Sequence, residues 1–259
     1  MSLAEQRRAI RPLLDENSPA DATEVYFAFH HPDQRVRLAF AGGADGSAGG
    51  YVCLARTGMD LFRPLVTMRL PSTAGGLDLE DGRRLLTQAF KPSQEVILSV
   101  PRDYQPLLEA LLRVRRAQLV ILLVLDRGRF EPLLNILVAQ TEGAEGLPRF
   151  VIRRSADGRL GLTGETAAAA GFNWRTPVFA DVYVNTQAGQ RRQGLGRSVL
   201  NYALQRVLEG GRRALYTVAA DNEASIKLAE SAGFVDIGLR RVLLEASPRE
   251  NSDKSPSQP

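Results

Sequence analysis

The feature that most constrains the fold is the succession of a strand, a polar loop and an amphipathic helix between residues 179 and 208. Phe179–Val184 is apolar and β-branched enough to predict a strand. Gly196–Leu208 predicts a helix, because its apolar residues form one stripe along a helical surface. That stripe consists of Val199, Leu200, Ala203, Leu204, Val207 and Leu208. A loop that enters a helix is typical of anion sites, since the first N–H groups of a helix lack intrahelical partners.

Strands and helices alternate on both sides of this segment. Asp221 or Asn222 is suited to cap a second helix, and Gly233 is suited to end it. The neighbouring predicted strands are Phe150–Arg153, Glu165–Trp174, Ala214–Ala219 and Val235–Leu244, and the second predicted helix is Asn222–Ala232. This alternation predicts an α/β or α+β sheet.

The N-terminal half repeats the same order of elements with little residue identity. Its predicted strands are Val25–His30, Arg35–Ala41, Tyr51–Ala55, Pro64–Leu70, Glu95–Val100 and Gln118–Asp126, and its predicted helices are Leu79–Phe90 and Tyr104–Val114. The repeated order suggests a duplicated module.

Composition narrows the class of protein. Of the 259 residues, 44% are hydrophobic and 24% are charged, which is typical of a globular chain with a packed core. The formal net charge of +4 is modest, and Arg greatly outnumbers Lys. A surface that binds nucleic acid is therefore not expected, and nucleic-acid binding is kept only as the third alternative for the function of this chain.

Metal, membrane and secretion signals are also missing from the sequence. Cys53 is the only cysteine and no Cys/His cluster exists, so neither a disulfide nor a metal site is expected. The N-terminal segment lacks the apolar core of a signal peptide, and the longest apolar run, Leu119–Leu125, is too short to span a bilayer. These features predict a cytoplasmic protein with no membrane partner.

The loop Gln190–Arg197 contains two glycines that would let a phosphate approach the backbone, Gly194 and Gly196. A dinucleotide-binding loop would need a third glycine at Val199, and a Walker loop would need Lys followed by Ser or Thr at Leu195 and Gly196. The sequence therefore excludes both of these phosphate loops.

The pattern that remains, Arg191-x-x-Gly194-x-Gly196, resembles the pyrophosphate loop [QR]-x-x-G-x-[GA] of the GCN5-related N-acetyltransferase (GNAT) superfamily. Val182–Val184 precedes it where that family pairs a strand edge with the pantetheine arm of coenzyme A. Asp221–Ser225 and Gly233-Phe234 follow it and resemble the family's N-x-x-[AS] and G-F signature. The resemblance covers Phe150–Leu244 well, whereas residues 23–127 share only the element order.

The resemblance implies tandem GNAT-like modules, each with a mixed, mostly antiparallel central sheet flanked by helices. Residues 1–140 are expected to form a degenerate copy of the module that lacks the phosphate loop. Residues 141–246 are expected to form the domain that binds acetyl-CoA, and residues 247–259 a disordered tail. The implied cofactor-binding residues are Val182, Tyr183, Val184, Arg191, Arg192, Gln193, Gly194, Leu195, Gly196, Arg197, Asn222 and Ser225. The implied partner is a small-molecule or peptide amine, acetylated by direct transfer, and the chain is expected to be a monomer or simple homodimer.

The catalytic groups are less well defined by the sequence. Asp181, beside the cofactor strand, and Glu165, at the start of the preceding strand, are the candidate bases. The family often places a tyrosine acid seven residues after the helix-leading asparagine, but Ala229 occupies that position. Tyr183, Tyr216, Ser225 or water could replace this acid. The alternative function is a non-catalytic acyl-CoA-binding or regulatory module.

Overall fold

The computed structural model describes residues 1–42, 48–58, 60–73, 76–133, 135–143 and 146–249. The chain forms two compact units. The first contains Met1–Glu16, Thr23–Leu119 and Arg240–Pro259, and the second contains Asn17–Ala22 and Val120–Leu239. No described helix carries an apolar stretch long enough to cross a membrane.

The helices are α1 (Leu3–Ile10), α2 (Ala22–Val25, continued by a π-helical turn at Tyr26–His30), α3 (Leu79–Ala89), α4 (Gln105–Leu111), α5 (Leu195–Glu209) and α6 (Glu223–Ser231). The strands are β1 (Val36–Gly42), β2 (Ala48–Ala55), β3 (Leu65–Arg69), β4 (Ser72–Thr73), β5 (Gly76–Leu77), β6 (Val96–Pro101), β7 (Leu112–Leu125), β8 (Ala139–Glu142), β9 (Pro148–Arg154), β10 (Leu160–Gly161), β11 (Glu165–Arg175), β12 (Phe179–Thr186), β13 (Arg213–Ala219) and β14 (Phe234–Pro248).

The first unit contains the strand order β1-β2-β3-β6-β14. All neighbours in this series are antiparallel except β3 and β6, which pair in parallel on either side of α3 in the sequence. Apolar residues of α3, Leu85, Leu86 and Ala89, pack in one cluster with the inward residues of these strands. This burial offsets the entropy of ordering the helix against its sheet.

The second unit contains the strand order β7-β13-β12-β11-β9-β10, with β8 also paired to β9. The parallel pair here is β12 and β13, which flank α5 in the sequence. The apolar stripe of α5 packs against alternate residues of β12, Ala180 and Val182, in one buried cluster. Since side chains alternate across a strand, Asp181 and Tyr183 lie on the opposite face of the sheet.

The long strands β7 and β14 each contribute to both units. Val120–Val124 of β7 pair with β13 in the second unit, whereas Arg241–Ala246 of β14 pair with β6 in the first unit. Each unit therefore takes a strand from the other half of the sequence.

The mixed sheet flanked by helices confirms the predicted fold class, and most predicted elements agree within one or two residues. The strand predicted at Val25–His30 is wrong: these residues are helical. The segment is continuously apolar from Val25 to Phe29, and such a run does not distinguish a strand from a buried helix.

Four further bounds differ from prediction by more than two residues, and the first is the start of β2, at Ala48 instead of Tyr51. The helix predicted at Tyr104–Val114 ends at Leu111, and the strand predicted to begin at Gln118 already begins at Leu112. The leucines at 107, 108, 111 and 112 have the spacing of a helical stripe, but the last of them, Leu112, is the first residue of strand β7. β14 extends through Pro248, and residues 250–259 of the predicted tail lie outside the described residues.

Candidate functional site

A cleft of about 600 Å³ opens in the second unit where the C-terminal end of β12, the start of α5 and the start of α6 meet. It is lined by Val184, Asn185, Thr186, Gln190, Arg191, Arg192, Gly194, Leu195, Gly196, Arg197, Asn222, Ala224, Ser225 and Leu228. Nine of the twelve cofactor-binding residues predicted from sequence are in this lining. The other three, Val182, Tyr183 and Gln193, lie beside it, and Gln193 accepts a hydrogen bond from Arg154 at 3.1 Å.

Helix α5 begins without a side-chain cap. Its N-cap residue, Gly194, has a φ of 73°, a left-handed conformation that glycine adopts without strain. The N–H of Ser198 donates to the carbonyl of Gly194 at 3.0 Å and so makes the first turn. The N–H groups of Leu195, Gly196 and Arg197 precede this bond and have no intrahelical acceptor. They face the cleft with the positive end of the helix dipole.

Gly196 has a different role from Gly194. A Cβ at this position would lie 2.8 Å from Oγ1 of Thr186, so only glycine lets the first turn of α5 approach β12 this closely. The helix start is thereby held against the end of the strand.

The charged side chains that line the cleft within the described residues are all positive. Arg191, Arg192 and Arg197 line it, and among the described residues no Asp or Glu does. Two buried side-chain atoms, Oε1 of Gln190 and Nε of Arg197, have no hydrogen-bond partner within the protein. Buried polar groups without partners are rare in folded proteins unless a ligand or water satisfies them. The lining therefore fits an anionic ligand that also carries hydrogen-bonding groups.

The far wall of the cleft is the start of α6. Asn222 caps this helix, because its Oδ1 accepts a hydrogen bond from the N–H of Ser225 at 3.1 Å. The amide NH₂ of Asn222 is not used by the cap and is available as a donor. Ser225 is also hydrogen-bonded through its hydroxyl to the phenol of Tyr216, at 2.7 Å. Burial raises the pKa of Tyr216, against the opposing effect of the Ser225 hydrogen bond.

Strands β12 and β13 form a fork. Their parallel ladder joins Phe179–Asp181 to Arg213–Leu215, and within the described residues it extends no further. Val182–Val184 therefore follow the last paired residue of β12, and their edge on this side is open to a ligand that adds as an extra strand.

Asp181 is the last paired residue at the closed end of this fork. It is 4% exposed, accepts a hydrogen bond from Nδ2 of Asn173 at 2.7 Å and accepts another from Oγ1 of Thr217 at 3.2 Å. Burial raises the pKa of Asp181 to about 7, although both hydrogen bonds oppose the shift. A carboxyl with this pKa exchanges a proton near neutral pH, as a general base must.

The second candidate base, Glu165, is placed differently. It begins β11 in an exposed position opposite Arg154 and does not line the cleft. The structure therefore does not bring Asp181 and Glu165 together.

Several residues of the site were missed in the sequence. Asn185, Thr186, Gln190, Ala224 and Leu228 line the cleft, and Asn173 and Thr217 hold Asp181. Asn173 stands at a bulge in β11, where the register against β12 shifts between Phe172 and Trp174. A bulge re-aims side chains, and no residue pattern in the sequence marks this one.

Residues 141–234 match the family model described as "Acetyltransferase (GNAT) family". The chain carries a GNAT domain. This domain lies within the second unit and contains every residue of the cleft. No curated protein matches the chain significantly.

Solved structures of GNAT proteins resemble the chain over most of its length. A GCN5-related N-acetyltransferase from Sphaerobacter thermophilus has a TM-score of 0.60 and 13% identity, and the match covers 96% of this chain and 95% of that one. An acetyltransferase of the GNAT family from Colwellia psychrerythraea has a TM-score of 0.59 and 16% identity, covering 95% and 98%. A tandem GNAT protein from the clavulanic acid biosynthesis pathway has a TM-score of 0.57 and 15% identity, covering 96% and 95%. At such identities the likeness concerns the fold.

Proposed function

We propose that the chain is an acetyl-CoA-dependent N-acetyltransferase that acetylates an amine by direct transfer. The observation that carries this proposal is the uncapped start of α5 in the cleft of a GNAT domain. Three arginines line this cleft with it, and no carboxylate of the described part of the chain does. GNAT proteins in general use acetyl-CoA and act on small-molecule or peptide amines.

The cleft residues fit the phosphates of acetyl-CoA. The N–H groups of Leu195, Gly196 and Arg197 would donate to the pyrophosphate, as helix N-termini do for anions. The guanidinium groups of Arg191, Arg192 and Arg197 would add charge-assisted hydrogen bonds. Gln193 would contribute its backbone at the same loop.

The edge of β12 beyond Asp181, its last residue paired with β13, fits the pantetheine arm of acetyl-CoA. Val182, Tyr183 and Val184 would pair with the amides of the pantetheine arm along the free edge of β12. Asn222 would donate from its unused NH₂ group, and Ser225 would touch the arm from α6. Bound in this way, acetyl-CoA supplies an activated thioester acetyl group at the closed end of the fork.

Asp181 is our candidate for the general base. It stands at the closed end of the fork, on the sheet face opposite α5, and its pKa of about 7 lets it take a proton from an amine at neutral pH. Glu165 is the second candidate, which its exposed position away from the cleft favours less. The rate is expected to rise with pH through about 7, because only the deprotonated carboxylate of Asp181 can act as the base.

We also propose the domain organisation, location and oligomeric state that the sequence predicts for the whole chain. The N-terminal half is a degenerate GNAT-like copy, the domains divide near residue 140, and the protein acts in the cytoplasm as a monomer or simple homodimer without nucleic acid. The strand–helix–strand unit β3-α3-β6 supports the duplication, since its strands pair in parallel as β12 and β13 do.

A second candidate function is a non-catalytic acyl-CoA-binding or regulatory module. Ala229, fully buried at the position where the family often has a tyrosine acid, favours it. This function predicts acetyl-CoA binding without release of the thiol.

The deciding experiment follows thiol release from acetyl-CoA with a panel of small amines and peptides, beside calorimetric titration of acetyl-CoA. We expect turnover in the wild type, and in Asp181→Asn we expect turnover at least about 100-fold slower with binding retained, the size of effect usual for a general base. Glu165→Gln is the matched control and is expected to behave as the wild type. Binding without turnover on any amine would favour the second function, and no binding would contradict both.

A further inference from the structure

Two hydroxyl groups meet at the wall of the cleft between β13 and α6. The phenol oxygen of Tyr216 and the Oγ of Ser225 are 2.7 Å apart. Ser225 lines the cleft, whereas Tyr216 is 4% exposed and packs on Phe234 with ring centroids 5.5 Å apart. The pair is therefore a buried phenol that reaches the cleft through a serine.

The two hydroxyl groups of Tyr216 and Ser225 together carry one more proton than their mutual hydrogen bond needs, so the pair can donate a hydrogen bond to a ligand. Burial raises the pKa of Tyr216, so the phenol keeps its proton at neutral pH and the two oxygens carry two protons. One proton forms the hydrogen bond between the residues, and the other is left for a further acceptor. Because the core encloses the ring of Tyr216, the cleft beside Ser225 is where that acceptor can lie.

The position of the pair selects which part of a ligand it meets. Tyr216 directly follows Leu215, the last residue of β13 that pairs with β12, so the pair lies near the closed end of the fork. The anion-binding start of α5 packs on Thr186, at the open end. A linear acyl-CoA that places its phosphates at α5 therefore brings its thioester end towards Tyr216 and Ser225.

We propose that Ser225, supplied by Tyr216, protonates the sulfur that leaves in the reaction, an inference that rests on the proposed function. The amine nitrogen forms its bond to the acetyl carbon, the C–S bond breaks, and the bonding electrons pass to sulfur. Ser225 gives its hydroxyl proton to sulfur and receives the phenol proton of Tyr216. Asp181 takes the proton that the nitrogen loses. One proton is thus gained by Asp181 and one is lost by Tyr216, and exchange with water restores both groups.

Ser225 is the catalytic residue in this step, because it touches the reacting atoms, and Tyr216 is a positioning residue that acts through it. Ala229 is fully buried in the same apolar cluster as Tyr216 and has no polar group with which to take this role.

The test measures the titration of the thiol group of unacetylated CoA when it is bound to the full-length protein. The ultraviolet absorbance of the thiolate gives the pH at which the bound thiol titrates. A hydrogen bond to a charged acceptor contributes about 1.5–3 kcal/mol, so its loss should raise this pH by about one to two units. We expect that rise in Ser225→Ala and in Tyr216→Phe, with turnover slower by about 10- to 100-fold and the Kd for acetyl-CoA within about threefold of the wild type.

Two further variants act as controls. Ser225→Thr keeps the hydroxyl and is expected to retain the wild-type titration. Ser231→Ala makes the same change on the same helix outside the cleft, where the Ser231 hydroxyl donates to the carbonyl of Leu228, and it is expected to leave both titration and turnover unchanged.

The outcomes separate this inference from the function on which it rests. An unshifted thiol titration in a Ser225→Ala protein that still binds CoA overturns the inference and leaves the proposed function intact. A large loss of CoA affinity without a shift also overturns it, because the serine would then only bind the arm and would not act on the sulfur. A wild type that binds neither CoA nor acetyl-CoA overturns both. If Tyr216→Phe fails to fold, the Ser225 variants decide the matter alone.

Discussion

Helices α3 and α5 follow the first strand of a parallel pair in their respective units, yet they begin in opposite electrostatic surroundings. Asp78 caps α3 and accepts hydrogen bonds from the N–H groups of Glu80 and Asp81, both at 3.0 Å. The first turn of α3 adds two carboxylates of its own. Helix α5 has no side-chain cap and is surrounded by arginines. A phosphate is repelled from the first helix start and attracted to the second.

Buried carboxylates differ between the units in the same way. In the first unit, Glu24 accepts two hydrogen bonds from the guanidinium of Arg241, at 3.2 and 2.7 Å, with side chains 3% and 5% exposed. In the second unit, Asp181 is hydrogen-bonded to the neutral groups of Asn173 and Thr217. The first unit therefore neutralises its charges internally, while the second leaves a helix start and a carboxyl group available for a ligand. This difference supports our proposal that the chemistry takes place in the second unit.

The largest effect is expected from breaking the ion pair of the first unit. Glu24→Gln removes the carboxylate that faces the buried charge of Arg241, and breaking this buried pair should lower the free energy of unfolding by about 3–5 kcal/mol. Chemical denaturation measures this loss. The matched control is Glu223→Gln, which breaks an exposed pair with Lys227 and should cost no more than about 0.5 kcal/mol. Equal losses in the two variants would show that Glu24 is not a structural counter-charge.

The next effect comes from giving α5 the cap that α3 has. Gly194→Asp places a carboxylate at the helix start, and we expect acetyl-CoA binding to weaken at least about 100-fold, or about 2.7 kcal/mol. Gly194→Asn is the control, because Asn also tolerates a positive φ but adds no charge, and its loss should be about tenfold smaller. Calorimetry measures both Kd values, and circular dichroism confirms that both variants fold. An unchanged Kd in Gly194→Asp would place the ligand elsewhere.

A smaller effect concerns the pH dependence of stability. The pKa of Asp181 rises from 3.8 to about 7 on folding, so between these values the folded state binds more protons and stability falls as pH rises. Asp181→Asn removes this contribution. Relative to the wild type, its free energy of unfolding should increase by at least about 1 kcal/mol between pH 5 and pH 8, since each pH unit corresponds to about 1.4 kcal/mol. Parallel pH profiles of the two proteins would mean that Asp181 is an ordinary ionised carboxylate.

The smallest effect is expected at the cap of α3. Asp78→Ala should destabilise the chain by about 1 kcal/mol, as the loss of an N-cap usually does, and Asp78→Ser should restore most of it. Neither change should alter the number or affinity of acetyl-CoA sites. Thermal unfolding and calorimetry measure the two properties separately. A second site created by Asp78→Ala would show that the carboxylate alone keeps the first unit inactive.

Local patterns in the sequence predicted the second unit well. The stripe from Val199 to Leu208 and the flanking glycines located α5 within one residue at each end. The cap of α6 is Asn222, one of the two residues predicted for it. These features depend on neighbours within one or two turns of the chain, so the sequence contains the information directly.

Features that depend on distant pairing could not be predicted. The fork at Asp181 exists because β12 and β13 pair over only three residues, and Asn173 reaches Asp181 only through a bulge. The helical form of Tyr26–His30 and the contribution of β7 and β14 to both units likewise depend on packing between segments far apart in sequence. Propensity is a weak guide where such packing decides.

The most direct test of the comparison is the stoichiometry of acetyl-CoA binding to the wild-type chain, measured by calorimetric titration beside Gly194→Asp. We expect one site for each chain, which Gly194→Asp weakens at least about 100-fold and Asp78→Ser leaves unchanged. Two sites in each chain, or a single site that survives in a folded Gly194→Asp protein, would contradict the assignment of acetyl-CoA to the cleft at α5.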